Sequence, residues 1–483
     1  MSSVQVPEWV KDAVFYQIFP DRFAMSERVP KPSGLEPWDS PPTGHGYKGG
    51  DLLGVVEHLD HLVALGVNAI YFNPVFQSAS NHRYHTHDYR QVDPMLGGDQ
   101  ALRELLDAAH ARNIRVILDG VFNHASRGFF QFHDILENGV DSAYLDWFTV
   151  EQWPLQPYSG RNPGYRCWWG NPALPKFNTD TPAVREFIFE IARGWIEFGI
   201  DGWRLDVPEE INDDAFWREF RQVVRQANPE AYIVGEIWHD AERWLQGDQF
   251  DAVMNYGVSR AAAGFFARDT FDRHYRPGGF RLMPLGARAF SNEIERLMRL
   301  YPWPITQAQL NLLDSHDTAR FINQVGGDKT ALQLALLFLL TLPGAPCIYY
   351  GTEVGMAGGH DPDCRRAFPW QAPESWDYDL LDCTKRAIAL RREHAALRHG
   401  DFSVRYSHEG VVAFGRQAAD EGAAVVFNAG SEPRVISLDV EGLLPNGKIE
   451  DLWTGQPGRV SRGMMRHLEV PPRSALVFAA ARG

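Results

Sequence analysis

Four stretches of the chain place acids and bases where a reaction can use them. Asp119 opens Asp119-Gly120-Val121-Phe122-Asn123-His124, and Arg204 and Asp206 close Gly202-Trp203-Arg204-Leu205-Asp206. Glu236 leads into Ile237-Trp238-His239, and His316 and Asp317 follow Leu312-Leu313-Asp314-Ser315. Two carboxyl groups flanking one bond suit glycoside hydrolysis by a retaining route. One stays ionised as the nucleophile, and the other keeps its proton to assist the leaving oxygen. Arg204 lies two residues before Asp206 on the same expected strand, so both point to one side. A guanidinium there is expected to hold Asp206 ionised. Glu236, beside Ile237 and Trp238, is expected to be raised by desolvation, as an acid requires. His124 and His316 can donate hydrogen bonds to sugar hydroxyls, and Tyr84 can stack on a sugar face.

A second cluster, His82-Arg83-Tyr84-His85-Thr86-His87-Asp88, reads in two ways. His85, His87 and Asp88 are candidate metal ligands, or the stretch contacts sugar. Neither common zinc motif uses histidines two residues apart, and Arg83 opposes a cation. A single carboxylate at a strand end is usually a helix cap or a loop ion pair. Three of them at three strand ends, with an arginine and two histidines among them, are harder to explain that way. A barrel interior does not tolerate unpaired charge.

The elements that must hold these residues alternate. Apolar runs at 13–19, 68–74, 114–119, 202–206, 232–236, 251–254, 311–314 and 347–350 read as strands, most of them followed by a helical pattern. Residues 51–65 carry one apolar helical face, and Gly66 is placed to end it. Repeated βα order predicts a parallel sheet, and eight units predict a (β/α)8 barrel of α/β class. In such barrels the loops at the strand C-termini converge on the active site. The stretch 124–178 is rich in Trp, Gly, Pro and Asn and shows no period, so it reads as an inserted subdomain after strand 3. From about Phe402 short β-type runs separated by turn residues predict a small antiparallel β domain. The expected division is a barrel at 1–123 and 179–398, an insert at 124–178 and a β-sandwich at 399–483.

Composition narrows the partners. The 483 residues include 47 Lys and Arg against 62 Asp and Glu, a net charge of −15. With no basic run, nucleic acid and anionic membrane surfaces are disfavoured, and a neutral substrate is the easiest fit. Aromatic residues make up 12% of the chain, with 15 tryptophans. Trp153, Trp168, Trp169, Trp203, Trp238 and Trp244 lie in the insert or near the catalytic strand ends, and several are expected to line the cleft rather than fill the core. The N-terminus shows no secretory pattern, and the longest apolar run, Ala331 to Leu342, is too short to span a bilayer. Four cysteines without a CxxC pair do not make a disulfide framework. A cytoplasmic enzyme is the simplest reading.

The four opening stretches, in this order, resemble the main motifs of the α-amylase family (glycoside hydrolase family 13), over nearly the whole chain. The resemblance implies that Asp206 is the nucleophile, Glu236 the general acid/base and Asp317 the transition-state stabiliser. It implies that Arg204, His124, His316, His82 and Tyr84 line the subsite holding the sugar whose bond is cut. Tyr16 to Phe23, Leu174 to Asn178, Glu210 and Trp238 to Tyr256 resemble the cyclomaltodextrinase, maltogenic amylase and neopullulanase branch. Glu210, Trp238, Asp361 and Arg365 are further candidates for substrate contacts, the last two farther from the cut bond. Members of that branch carry an extra N-terminal β domain, expected to be missing here because the first strand starts by residue 13. Calcium is the family's ion, but two of its usual ligand positions read Lys176 and Glu210, and a second calcium loop reads Ala24-Met25-Ser26-Glu27-Arg28. An ammonium in place of an oxygen ligand argues against the site, so no metal or cofactor is expected. The implied activity is hydrolysis of α-1,4 bonds in maltooligosaccharides or cyclodextrins, with room for transglycosylation, by a monomer or homodimer. An exo-acting α-glucosidase and a non-catalytic carbohydrate-binding member are the alternatives.

Overall fold

Eight runs of three to six mostly apolar residues form the centre of the molecule, and almost every residue in them is buried. Side chains of a strand alternate between its two faces, so a run apolar at every position has both faces covered, which is the parallel-barrel situation. The computed structural model describes residues 4–481. In it these strands are β1 (Phe15–Ile18), β2 (Ala69–Phe72), β3 (Arg115–Gly120), β4 (Gly202–Leu205), β5 (Tyr232–Gly235), β6 (Ala252–Asn255), β7 (Leu310–Leu312) and β8 (Ala345–Tyr349). Each pairs in parallel with its sequence neighbours, and β8 returns to β1, closing the barrel. Asp206 and Glu236, expected inside strands, are the first residues beyond β4 and β5. That position frees their side chains from the barrel packing and delivers them to its C-terminal mouth.

Three local expectations need correction. The helical run 51–65 is two helices, Leu52–Glu57 and Leu59–Leu65, separated at His58, whose φ of −115° and ψ of 10° are not helical. The Asp51 carboxylate caps the first by accepting from the Gly54 N–H, and Gly66 ends the second at φ 95°. The insert, which shows no period, contains a helix at Phe130–Asn138. Only Phe132 and Ile135 of that helix are buried, too few to print a pattern. Its interior is aromatic instead: Phe129, Phe132, Phe148, Tyr165 and Phe177 pack edge to face. Finally, Trp203 and Trp244 are core residues, 0% and 7% exposed. Trp203 packs against Phe122 and donates to the Ala192 carbonyl at 3.1 Å.

The C-terminal strands are β9 (Ser403–His408), β10 (Val411–Gln417), β11 (Glu421–Asn428), β12 (Arg434–Asp439), β13 (Gly447–Glu450), β14 (Pro457–Val460), β15 (Met464–Val470) and β16 (Ser474–Ala481). A four-stranded sheet runs β9-β10-β11-β16, and β12 pairs with β15. Period-two alternation splits its residues between two cores. Val412, Phe414, Val425 and Phe427 join the barrel's core, while Val411, Ala413, Ala424 and Val426 pack with Ile436, Leu438 and Leu468.

Two buried arginines without a carboxylate partner sit where the barrel meets this sheet. Arg391 Nη1 and Nη2 bond the carbonyls of Leu342, Leu397 and Gly344, among others. Arg416 bonds those of Asp401, Thr341, Leu397 and Gly400. Thr341 and Leu342 end the buried helix Lys329–Thr341, so the guanidinium groups meet its negative end. Replacing Arg416 by Met strands these carbonyls in a dry interior. The expected loss is about 2–4 kcal/mol, read as a lower denaturant midpoint. A native midpoint would show that these bonds are dispensable.

No helix among the described residues is long and apolar enough to cross a membrane. The four cysteines are unpaired.

Candidate active site

Arg204, on β4 and 0% exposed, organises the mouth of the barrel. Its Nη1 donates to both oxygens of Asp119 at 2.8 and 2.9 Å and to Asp206 Oδ1 at 3.1 Å. Its Nη2 lies 3.0 Å from Glu236 Oε2. One guanidinium thus holds Asp206 at one end and Glu236 at the other. Asp119 also accepts from the hydroxyls of Tyr71 and Tyr84 at 3.0 and 2.8 Å.

The backbone contributes too. Val207, immediately after Asp206, adopts φ 37° and ψ 51°, a left-handed conformation that a β-branched residue enters only under constraint. The turn aims its N–H at Glu236 Oε2, 3.4 Å away. The Trp238 indole donates to Glu236 Oε1 at 3.2 Å and lies flat on Tyr256, with ring centroids 3.6 Å apart.

Asp317 completes the acids. His316 Nε2 is 2.9 Å from its Oδ2, and Arg365 Nη2 is 3.2 Å from its Oδ1. Arg365 also donates through Nε to the His316 carbonyl at 2.8 Å and pairs through Nη1 with Asp361 at 2.9 Å. Arg365 and Asp361, expected as remote sugar contacts, therefore form a brace behind Asp317.

The charges do not balance. Two guanidinium groups face five carboxyl groups: Asp119, Asp206, Glu236, Asp317 and Asp361. Burial pushes Asp317 upward, but the contact from His316 Nε2 and the charge of the Arg365 guanidinium outweigh it and hold the acid well below the usual carboxylate range. Burial raises Glu236, and the Asp317 charge adds to it against the pull of Arg204. Burial also raises Asp206, with Arg204 opposing and Glu236 and Asp119 adding. The expectation that the Arg204 guanidinium holds Asp206 ionised is corrected: burial outweighs its pull, and its Nη1 is shared with both oxygens of Asp119. The proton state of Asp206 is tied to that of Glu236: once Glu236 is protonated, one of the charges that raise Asp206 is gone, while burial and Asp119 still raise it.

Tyr84 stacks on His316 with an interplanar angle of 8°. His82 tilts against Tyr84, and its Nδ1 accepts from the Tyr84 N–H at 3.2 Å. Burial holds His82 well below the usual imidazole range. It also pushes His124 down to about 3 and His85 to about 4. His124 carries a stack outward: Trp168 lies 5.2 Å from it at 16°, and Trp169 lies 4.9 Å from Trp168 at 17°. Glu210 is engaged elsewhere. The Lys176 ammonium donates to its carbonyl at 2.7 Å and to Oε2 at 2.9 Å. Among the described residues no cluster of three or more His, Cys, Asp and Glu side chains is arranged to hold a metal ion.

The chain as a whole has known relatives. A model of the α-amylase catalytic domain matches residues 17–379. The chain belongs to the α-amylase family. Among its relatives, a cyclomaltodextrinase of a Bacillus species is 49% identical over 400 residues, covering 82% of this chain and 69% of that protein. Neopullulanase 2 of Thermoactinomyces vulgaris is 45% identical over 439 residues, covering 90% and 72%. The crystal structure of a debranching enzyme from Nostoc punctiforme superposes with a TM-score of 0.90 at 50% identity, covering 99% of this chain and 100% of that one.

Within the family's barrel, the structure brings together Asp206, Glu236, Asp317, Arg204, His316, Tyr84, His82 and Trp238, with His124 at the foot of the tryptophan stack. It does not join Glu210 to them. Sequence reading passed over Gln17, Tyr71, Asn73 and Tyr256. Gln17 carried a usable signal, since an amide in the wholly buried run of β1 must have a partner.

Proposed function

We propose that the chain is a retaining glycoside hydrolase that cleaves α-1,4 bonds of maltooligosaccharides and cyclodextrins. The observation that carries this reading is the single Arg204 fork with Asp206 on one arm and Glu236 on the other. Retention needs two carboxyl groups about 5–5.5 Å apart, and one guanidinium spans that order of distance. Asp206 attacks the anomeric carbon while Glu236 gives its proton to the leaving oxygen. The glycosyl–Asp206 ester is then cleaved by water, from which Glu236 takes a proton. Asp317, held ionised by its brace, offsets positive charge at the sugar ring and accepts from its hydroxyls.

The substrate class is supported by the aromatic rings around the acids, Tyr84, Trp168, Trp169 and Trp238, and by the names of the cyclomaltodextrinase and neopullulanase relatives. We assign no metal to the site, because the Lys176 ammonium already occupies the acceptors of Glu210. We place the protein in the cytoplasm on its four unpaired cysteines.

A second reading, action at α-1,6 branch points, is favoured by the end-to-end match with the Nostoc debranching enzyme. Product analysis on β-cyclodextrin, maltotriose and pullulan separates the two. Maltose and glucose from β-cyclodextrin, with panose from pullulan, support the first reading. Maltotriose from pullulan supports the second, and glucose as sole product from every linear substrate marks an exo-acting α-glucosidase.

We place Trp169, at the outer end of the stack on His124, on the insert side of the cleft. It is 84% exposed and adopts φ 48°, a strained state for so large a residue. Its free face lies parallel to Trp168 and His124 and suits the apolar face of a glucosyl unit. Trp169→Ala is expected to lower kcat/KM for maltoheptaose relative to maltotriose about tenfold. An unchanged ratio would remove Trp169 from the cleft.

A further inference from the structure

Gln17 is 1% exposed and lies on β1 among apolar side chains, and none of the roles above uses it. We infer that Gln17 is a positioning residue that fixes the proton of His316 on Nε2 and keeps that imidazole uncharged. This rests on the reading that His316 faces the sugar.

The hydrogen bonds order the protons. Asp119, paired with Arg204, can only accept. The Tyr84 hydroxyl, 2.8 Å from Asp119 Oδ2, therefore donates its one proton there. The same oxygen accepts from Asn73 Nδ2 at 3.0 Å and meets His316 Nε2 at 2.7 Å. With the hydroxyl proton already committed, the proton of that last contact belongs to Nε2. The Asn73 amide, oriented by Tyr84, turns Oδ1 to Gln17 Nε2 at 3.0 Å. The second N–H of Gln17 lies 2.9 Å from His316 Nδ1. An amide NH₂ only donates, so Nδ1 is a bare acceptor. Both ends of the loop give one tautomer. Turning the Gln17 amide over would set Oε1 against Asn73 Oδ1, two acceptors face to face.

The other groups around the imidazole are Asp317, 2.9 Å from Nε2, and the Phe19 ring. Arg365 reaches only the backbone carbonyl of His316, and Glu236 and His82 lie within electrostatic range. The transition state of glycosyl transfer is oxocarbenium-like. An imidazolium against Asp317 would cancel the negative charge meant to offset it. A neutral Nε2–H donor, held between the Tyr84 hydroxyl at 2.7 Å and Asp317 at 2.9 Å, leaves that charge in place.

The test is nitrogen NMR of the full-length protein labelled with ¹⁵N-histidine, with His316→Gln assigning the signals. The expected spectrum of the native protein has Nε2 protonated and Nδ1 bare. In Gln17→Glu a carboxylate faces Nδ1 and draws a second proton. Both nitrogens are then protonated, kcat/KM on maltotriose near neutral pH falls about tenfold or more, and activity recovers as the pH is raised. A native spectrum with Nδ1 protonated overturns the inference. So does a folded Gln17→Glu with the native spectrum and pH profile. The spectra are read without substrate, so their outcome is separate from that of the proposed activity.

Discussion

Asp206→Asn is expected to lower kcat on maltooligosaccharides by roughly 10⁴-fold or more, with little change in thermal midpoint. The amide keeps the shape of the carboxyl group and can still accept from Arg204 Nη1 through its oxygen, but it cannot form the glycosyl ester. The fold tolerates the change because Arg204 retains both oxygens of Asp119, at 2.8 and 2.9 Å. Steady-state rates beside a melting curve read both parts. Turnover near the native rate would remove Asp206 as the nucleophile. Lost activity with a collapsed melting point would make its role structural.

The second large effect is Arg204→Met. This change removes the cation from three buried carboxyl groups, Asp119, Asp206 and Glu236. Breaking a buried pair from one side costs about 3–5 kcal/mol, and the acids respond by taking up protons. Arg204 is the main influence holding Asp206 and Glu236 down, so its loss raises both further. A carboxyl group whose folded-state pKa lies above its unfolded one binds more protons when folded. Its stabilising contribution is present at low pH and is lost as the pH rises through the folded value. The variant should therefore unfold at a lower temperature than the native protein, by a margin that widens from acid to alkaline pH. It should also be inactive, since a protonated Asp206 is no nucleophile. A pH-independent margin would show that Arg204 matters for packing and not for charge.

Most of the barrel was legible because its strands are buried on both faces and their sequences are apolar throughout. The four acid-bearing stretches were legible because charge at the ends of such runs has few structural uses. What stayed hidden follows from the same physics. The helix Phe130–Asn138 buries too few residues to show a period. Trp203 and Trp244, close in sequence to Asp206 and Glu236, turn inward. A strand end tells where a residue lies along the chain but not which face it takes once its neighbours are packed. Arg365, read as a distant contact, proved to stand behind Asp317 because the loop from β8 folds back over the mouth.

The sequence by itself determined the class of fold, the order of strands and which acids stand at the strand ends, since hydrophobic period and residue type are local properties. Only the tertiary structure decided how their protons are shared. That depends on Arg204 serving Asp119, Asp206 and Glu236 at once, on Arg365 bracing Asp317, and on Gln17 reaching His316 across 299 positions of chain. The strength of a charge or a hydrogen bond is set by burial and by the partners within about 4 Å, and those partners come from strands far apart in sequence.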